Sequence, residues 1–297
     1  MNESSMVYKN KKPLILFLTP AFVFMTLYLY YPFLQSIYNS FMKIRGLGTA
    51  PKGVNEPFYR NYTELFADPS MQTALKNTFI MMGFTIVFQV GVALVLALLV
   101  DNISKGSQFF RTVYFFPIVI SATALGLMFN LIFLYDTGMI NQLRLSLGAT
   151  GLVDFKDETH AMITMMIPVV WQYIGFYFVI LVTGLNNISP DLYEAAAIDG
   201  ATGLQRVRYI TLPLLHNVLC TCLTLAITGA LKVFDLPWVM FPNGMPFERT
   251  WLTGTYMYFV TFQSRDVDYA STIAVLIVVL GVVISQVANA IFKEKDY

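Results

Sequence analysis

The sequence predicts an all-α membrane protein with six transmembrane helices, and three observations lead there. Hydrophobic residues make up 56% of the 297 residues and charged ones only 12%, about half the charged share of an ordinary soluble domain. The charges cluster, leaving stretches such as 78–100 with none. Apolar runs of about 18 residues or more are long enough to cross the hydrocarbon core as helices. A soluble protein with several buried helices would need polar faces on them, and these segments have none.

The apolar runs fall at about 14–37, 78–100, 112–135, 161–185, 214–236 and 268–292. Lys9, Lys11 and Lys12 precede the first, in the manner of a signal peptide. That run is too long for a signal core and shows no small-residue cleavage site, so it is read as an uncleaved span. An even number of spans puts both termini on one side. The lysines of tail 1–13, with Lys293 and Lys295 in tail 293–297, place that side in the cytoplasm. Nine Lys and Arg fall on each proposed side, so the count alone does not decide. The proposed external segments are longer, and charge density therefore favours this orientation.

Several functions are disfavoured at once. A net charge of +1 gives no field suited to nucleic acid. Cys220 and Cys222 stand two residues apart on one apolar helix and point to different faces, against a mutual disulfide or a metal site. His160 and His216 are isolated at helix ends and do not make a ligand set.

The connections differ in character. Loop 38–77 is long and polar, and Pro69 with Ser70 is placed to start a short helix leading into the second span. Loop 136–160 is Gly-rich and polar. In 237–267, Pro237, Pro242, Asn243, Gly244 and Pro246 read as turns. Segment 186–213 is the most informative. Ser189 stands where it can cap a helix, Pro190 suits the first helical position, and Asp191 complements the positive end of the dipole. Three alanines favour the interior, and Gly200 is placed to stop the helix in a left-handed turn. Leu192, Ala195 and Ala196 form a narrow apolar strip. Thr202 is expected to cap a second helix carrying Leu204, Val207 and Ile210 at a spacing of three. Two short helices joined by glycine make a rigid knob suited to transmitting force.

Polar residues inside the spans are candidates for a solute path. Gln89, Asn130 and Gln172 lie within spans, and Tyr173 and Tyr177 are suited to stacking on a sugar ring. Interhelical hydrogen bonding is the alternative for each. Lys232 is the costliest of the set, at about 2.5–3.5 kcal/mol for a lysine at the centre of a membrane helix. Asp235, three residues on, would offset it as a partner, or both line a wet cavity; the sequence leaves the two open.

Glu194-Ala195-Ala196, then Gly200, then Ile210-Thr211-Leu212-Pro213 resemble the EAA motif of binding-protein-dependent ABC permeases. The spacing fits without a gap, with seven defined positions matched over twenty residues. Asn61-Tyr62-Thr63-Glu64-Leu65-Phe66, Tyr31-Pro32 and Lys232-Val233-Phe234-Asp235 are similar to segments of the sugar and glycerol-phosphate branch. Two departures stand out. Val207 occupies a place where an aromatic is common, and Phe241-Pro-Asn-Gly-Met-Pro246 replaces a Gly-rich T-x-G-G-P loop.

The resemblance implies a type I importer fold, with a permease core at 72–292 preceded by one extra span. It also implies a cytoplasmic coupling loop at 186–213. Glu194, Ala195, Ala196, Asp199, Gly200, Ile210, Leu212 and Pro213 would form the contact with an ATPase. Implied partners are a second EAA-containing permease, two ATP-binding cassette subunits, an extracytoplasmic solute-binding protein and membrane lipid. The cargo implied is a sugar or related polyol. No Gly-x4-Gly-Lys-Ser/Thr phosphate loop occurs in the chain, so ATP would be used by partner subunits and no cofactor is expected here. The chain is thus expected to be a transporter subunit of the bacterial cytoplasmic membrane and not an enzyme. A six-helix secondary transporter or channel is the rival reading, and it would need more deep ionisable residues than Lys232 and Asp235.

Overall fold

A computed structural model describes residues 11–101 and 106–291. Lys9, Lys293 and Lys295, named above for the cytoplasmic placement of the termini, lie outside the described residues. Among those described, extended pairing is limited to the isolated bridges Met42 with Val54 and Arg45 with Asp266. Everything else regular is helical.

In chain order the helices are α1 (residues 11–39), α2 (Arg60–Ala67), α3 (Pro69–Asp101), α4 (Ser107–Val119) and α5 (Ala122–Ile132). These are followed by α6 (Met139–Ser146), α7 (Ala161–Asn186), α8 (Pro190–Ile198) and α9 (residues 203–214). The chain ends in α10 (His216–Ala230), α11 (Asp235–Met240), α12 (Thr253–Phe262) and α13 (Val267–Ile291). Five stretches are long and apolar enough to cross a membrane: Leu14–Asn39, Pro69–Asp101, Ala161–Asn186, His216–Met240 and Val267–Ala288. Taking the bent pair α4–α5 as one span gives up to six.

Three expected boundaries change, each for a backbone reason. The run read as one span over 112–135 is two helices bent by 94°. Pro117 lies in the last turn of α4, Ile120 is extended, and Ser121 caps α5 by accepting from the Ala124 amide at 3.2 Å. The span read at 214–236 is interrupted between Ala230 and Asp235. Pro237 has no N–H to return to the carbonyl of residue 233, so a helix cannot run through that turn intact. Pro69 and Ser70 begin the span helix itself, not a separate short one. Asp68 caps it, accepting from the Ser70 amide at 2.9 Å with Pro69 at the first helical position. The loops expected to be irregular also hold helix: α2 in 38–77, α6 in 136–160 and α12 in 237–267.

The chain divides into two compact units, one of residues 1–66 with 260–276 and one of 67–259 with 277–297. In the first, buried polar groups hold irregular chain in place. Asn61 Nδ2 donates to the Ser40 carbonyl at 3.1 Å, Asn55 Nδ2 to the Met42 carbonyl at 3.0 Å, and Ser40 Oγ lies 2.9 Å from Tyr62 Oη. Arg45 approaches Asp266 at 3.6 Å, and Gly46 N donates to the Arg265 carbonyl at 2.8 Å.

In the second unit two clusters form the core. One joins Met81, Leu125, Phe129, Met165 and Met240; the other joins Val90, Ala97, Phe178, Leu181 and Leu215. The crossing of α4 and α7 requires Gly175, because a Cβ there would lie 1.8 Å from the Tyr114 carbonyl oxygen. At one end of the unit Asn77 donates to the Arg249 and Trp251 carbonyls at 2.6 and 2.9 Å, fixing the irregular chain before α12.

Burial pushes the Asp266 carboxyl up from its ordinary 3.8 to about 6, helped by the Asp268 carboxylate beside it and opposed by Arg45. An acid with a raised pKa binds more protons folded than unfolded. Its penalty is therefore absent near pH 4 and grows as pH rises through 6. Local opening around 264–270, read by hydrogen exchange corrected for intrinsic rate, should be rarer at pH 5 than at pH 7. Asp266→Asn should abolish that difference; an unchanged difference would show that another group is responsible.

Candidate functional site: a polar cavity and a capped loop

Within the second unit a cavity of about 280 Å³ opens where helices are interrupted. α3 widens into a π turn over Thr85–Val90, which brings Thr85 and Gln89 to the cavity. α7 supplies Val169, Gln172, Tyr173 and Tyr177, and α10 supplies Ala226, Gly229 and Ala230. The break before α11 contributes Lys232, Phe234 and Asp235.

Gln89, Gln172, Tyr173, Tyr177, Lys232 and Asp235 thus converge on one cavity from three segments. The glutamines also bond between helices. Gln89 Nε2 donates to the Val169 carbonyl at 2.9 Å, and Gln172 Nε2 to the Ile120 carbonyl at 3.3 Å. Ile120 is the residue freed at the α4–α5 bend, so Gln172 satisfies a carbonyl that the broken helix leaves open. The two alternatives posed by the sequence are therefore compatible.

Of the two alternatives left open for Lys232 and Asp235, the structure shows the cavity lining and not the ion pair. They flank the helix break, not one turn of a continuous helix, and no salt bridge among the described residues joins them. Both side chains are exposed at the cavity. Asn130 is absent from the lining. Its Nδ2 donates to the Val239 carbonyl at 3.3 Å and its Oδ1 accepts from Lys156 Nζ at 2.6 Å. Lys156 also lies 6.0 Å from the centre of the Phe241 ring. Burial lowers the Lys156 pKa, with Asp154 opposing the shift.

Sequence reasoning missed Thr85 and Phe234. Thr85 was hidden because a π turn leaves no mark in hydropathy. Phe234 occupies the cap of α11, stacks on Trp238 one turn on at 5.9 Å and meets Tyr258 of α12 at 5.0 Å, the last a contact between helices that spacing along the chain does not show.

The second feature is the loop between α7 and α10. Ser189 occupies the cap of α8 but makes no side-chain cap hydrogen bond; Pro190 stands first in the helix and Asp191 in its first turn. The C-terminus closes as a Schellman turn, with Ala201 N donating to the Ala196 carbonyl at 2.9 Å and Gly200 at φ 78°. α9 opens with a complete capping box: Gln205 N donates to Thr202 Oγ1, and Thr202 N to Gln205 Oε1.

The apolar strips differ from expectation. Ala196 turns inward and is buried, while Leu192 and Ala195 are exposed with Glu194 and Asp199. On α9 the spacing of three does not hold one face, because the helix widens into a π turn over Val207–Thr211. Leu204 is 80% exposed, whereas Val207, Ile210, Leu212 and Pro213 are half-buried. Ile198, at 87% exposure, is a further large apolar group offered outward. Among the described residues no group of three or more His, Cys, Asp or Glu is placed to hold a metal.

A helical membrane chain with a central polar cavity and a capped two-helix loop bearing the EAA spacing is a permease subunit of an ATP-driven importer. The chain matches the family described as "Binding-protein-dependent transport system inner membrane component" over residues 14–295, and it belongs to that family. It is therefore a multi-pass protein of the cell membrane, working with separate ATPase subunits.

Among its relatives is the probable ABC transporter permease protein YurN of Bacillus subtilis, 32% identical over 97% of this chain and 98% of that protein. The sulfoquinovosyl glycerol transport system permease SmoG of Agrobacterium fabrum is 30% identical over 95% and 91% of the two chains. The lactose transport system permease LacF of Rhizobium radiobacter is 30% identical over 91% and 90%. A solved bacterial alginate ABC transporter in complex with its alginate pentasaccharide-bound periplasmic protein contains a chain of the same fold. Its TM-score is 0.83 at 22% identity, over 95% of this chain and 94% of that one.

Replacing Asn130 by Leu strips the half-buried Lys156 ammonium of its acceptor. The change should cost about 1–3 kcal/mol, read as a lower thermal midpoint of the detergent-solubilised protein. Lys156→Met in the same chain should recover most of the loss. A single variant as stable as the parent would exclude the contact.

Proposed function

We infer that this chain is one of two permeases lining the path of a carbohydrate importer. The observation that carries the reading is the convergence of amide, phenol, ammonium and carboxylate groups on one cavity whose wall continues into the capped loop. Hydroxyl-rich rings are held in such places by side-chain amides and charged groups, with an aromatic face against the apolar side of the ring. Relatives named for sulfoquinovosyl glycerol, arabinooligosaccharides and lactose support a mono- or oligosaccharide or related polyol.

The arrangement follows from that reading. Both termini lie in the cytoplasm, six spans cross the membrane, and the core at 72–292 follows one extra span. α8 and α9 face the cytosol and seat on one of two ATP-binding cassette subunits through Glu194, Ala195, Ala196, Asp199, Gly200, Ile210, Leu212 and Pro213. A second EAA-containing permease closes the path, and an extracytoplasmic binding protein delivers the solute. ATP is bound by the partners, and this chain holds no cofactor. Gln89, Gln172, Tyr173, Tyr177, Lys232 and Asp235 face the solute.

The test begins with the solute-binding protein encoded beside this gene and the sugars it binds. Liposomes holding the full complex should then take up that sugar only with ATP and the binding protein present. Glu194→Lys and Gly200→Pro should each cut uptake at least tenfold with membrane insertion unchanged. Uptake by this chain alone down an ion gradient, or reaction of a cysteine at residue 194 with reagent added outside intact cells, would overturn the reading.

A further inference from the structure

α8 and α9 meet at Gly200, whose φ of 78° suits glycine and whose missing side chain would face open space. The Schellman bonds hold the backbone of Gly200 and Ala201 to α8, but no side chain at the joint packs across to α9. Packing does little to stiffen it, since a cavity of about 480 Å³ lies beside the joint, bordered by Leu98, Asp101, Tyr193, Leu204 and Arg206. One hydrogen bond reaches from the first helix to the end of the second. Tyr193 Oη lies 3.1 Å from Thr211 Oγ1. Thr211 Oγ1 in turn donates to the Arg206 carbonyl at 3.4 Å, which leaves the tyrosine hydroxyl as donor to the threonine.

Thr211 is well placed for a fastening point. It is 3% exposed, and it closes the π turn of α9. Leu215 N donates to its carbonyl at 2.8 Å, carrying the backbone hydrogen bonding on toward α10. α10 in turn supplies Ala226, Gly229 and Ala230 to the solute cavity. A continuous path therefore runs from α8 through one phenol to the cavity wall.

We propose that Tyr193 is a positioning residue for transport, its hydroxyl fastening the coupling helix to Thr211 so that a push on α8 moves α10 and not the glycine hinge. The proposal rests on the reading of α8 as the ATPase contact. Without the bond, displacement of α8 is absorbed at Gly200 and the ATPase turns over without moving the wall. Phenylalanine keeps the ring and its packing and removes only the donor. Valine at 211 keeps the shape and removes the acceptor.

The experiment uses the complete importer in liposomes, with Cys220→Ala and Cys222→Ala and one reporter, Gly229→Cys. A Cβ at residue 229 meets nothing within 4 Å, so the reporter fits the cavity. The probe is a sulfonated, membrane-impermeant maleimide, and the readout is the ratio of labelling rates with and without ATP and vanadate. Tyr193→Phe and Thr211→Val should each shrink that ratio about three- to tenfold, the range set by one hydrogen bond. ATP hydrolysis should stay within about twofold of the reference under the same principle of a conserved ATPase contact. The double variant should be no worse than either single one, and Thr211→Ser should behave as the reference.

A purely structural role for Tyr193 would lower the amount of assembled complex and leave the ratio intact. That outcome, or losses that add in the double variant, would overturn the proposal while leaving the importer reading in place. A reference complex that assembles and shows no ATP-dependent change in labelling would overturn both.

Discussion

Inside a bilayer every backbone amide and carbonyl must find its partner within the protein, and the organisation of this chain follows from how its interrupted helices meet that demand. Uninterrupted helix satisfies itself and needs only an apolar surface. Each interruption frees polar groups, and a polar side chain from another helix has to arrive. Gln172 reaches the Ile120 carbonyl at the α4–α5 bend, and Asn77 holds two carbonyls of the irregular chain before α12. Gln172, which repairs the α4–α5 bend, also lines the cavity beside it. In this architecture a binding cavity and a repaired helix break are one feature.

Lys232 illustrates the consequence. On a continuous helix it would sit in hydrocarbon with Asp235 as its natural neutraliser one turn away. The break before Pro237 turns both side chains toward the cavity, where water can solvate them separately. Neither charge then requires the other. Lys156 takes the opposite course: it is half-buried and takes Asn130 as acceptor, and Asn130 also holds the Val239 carbonyl of α11. One lysine is left to water and one to an amide, and only the second is locked in place.

How much of this is legible in residues depends on the range of the interaction. The capped loop is local, and its signals sit within a few positions of their effects: Pro190 and Asp191 at the start, Gly200 at the stop, Thr202 with Gln205 at the restart. Those were readable one by one. The apolar spans were readable too, because hydropathy averages over a whole turn and more. The breaks were not. Pro117 is plain in the sequence, yet it lies in a run apolar enough to read as an unbroken span, and Pro237 reads as a turn just past a span whose helix already stops at Ala230. Asn130 and Gln172 look alike in sequence, each a lone amide in a span. Whether such an amide faces a cavity or a neighbouring backbone is settled by helix rotation, which a single sequence does not encode. The π turns at Thr85–Val90 and Val207–Thr211 shift every following side chain around the axis, which is why Leu204, Val207 and Ile210 do not share a face.

Rigidity and compliance are accordingly distributed along the chain in a usable order. The α8–α9 loop is held within each helix, since α8 closes in a Schellman turn and α9 opens with a capping box. It is soft between them, at a glycine with no neighbour. Beyond the loop the backbone hydrogen bonding runs on from Thr211 through Leu215 into α10, which ends at the break beside Lys232 at the cavity wall. A push delivered to such a chain moves whatever lies between its soft points as one body. The segment from Thr202 to Ala230 is that body here, and α8 joins it only if the gap at Gly200 is bridged. The Tyr193 phenol, donating to the buried Thr211 hydroxyl, is the contact that ties α8 to that body.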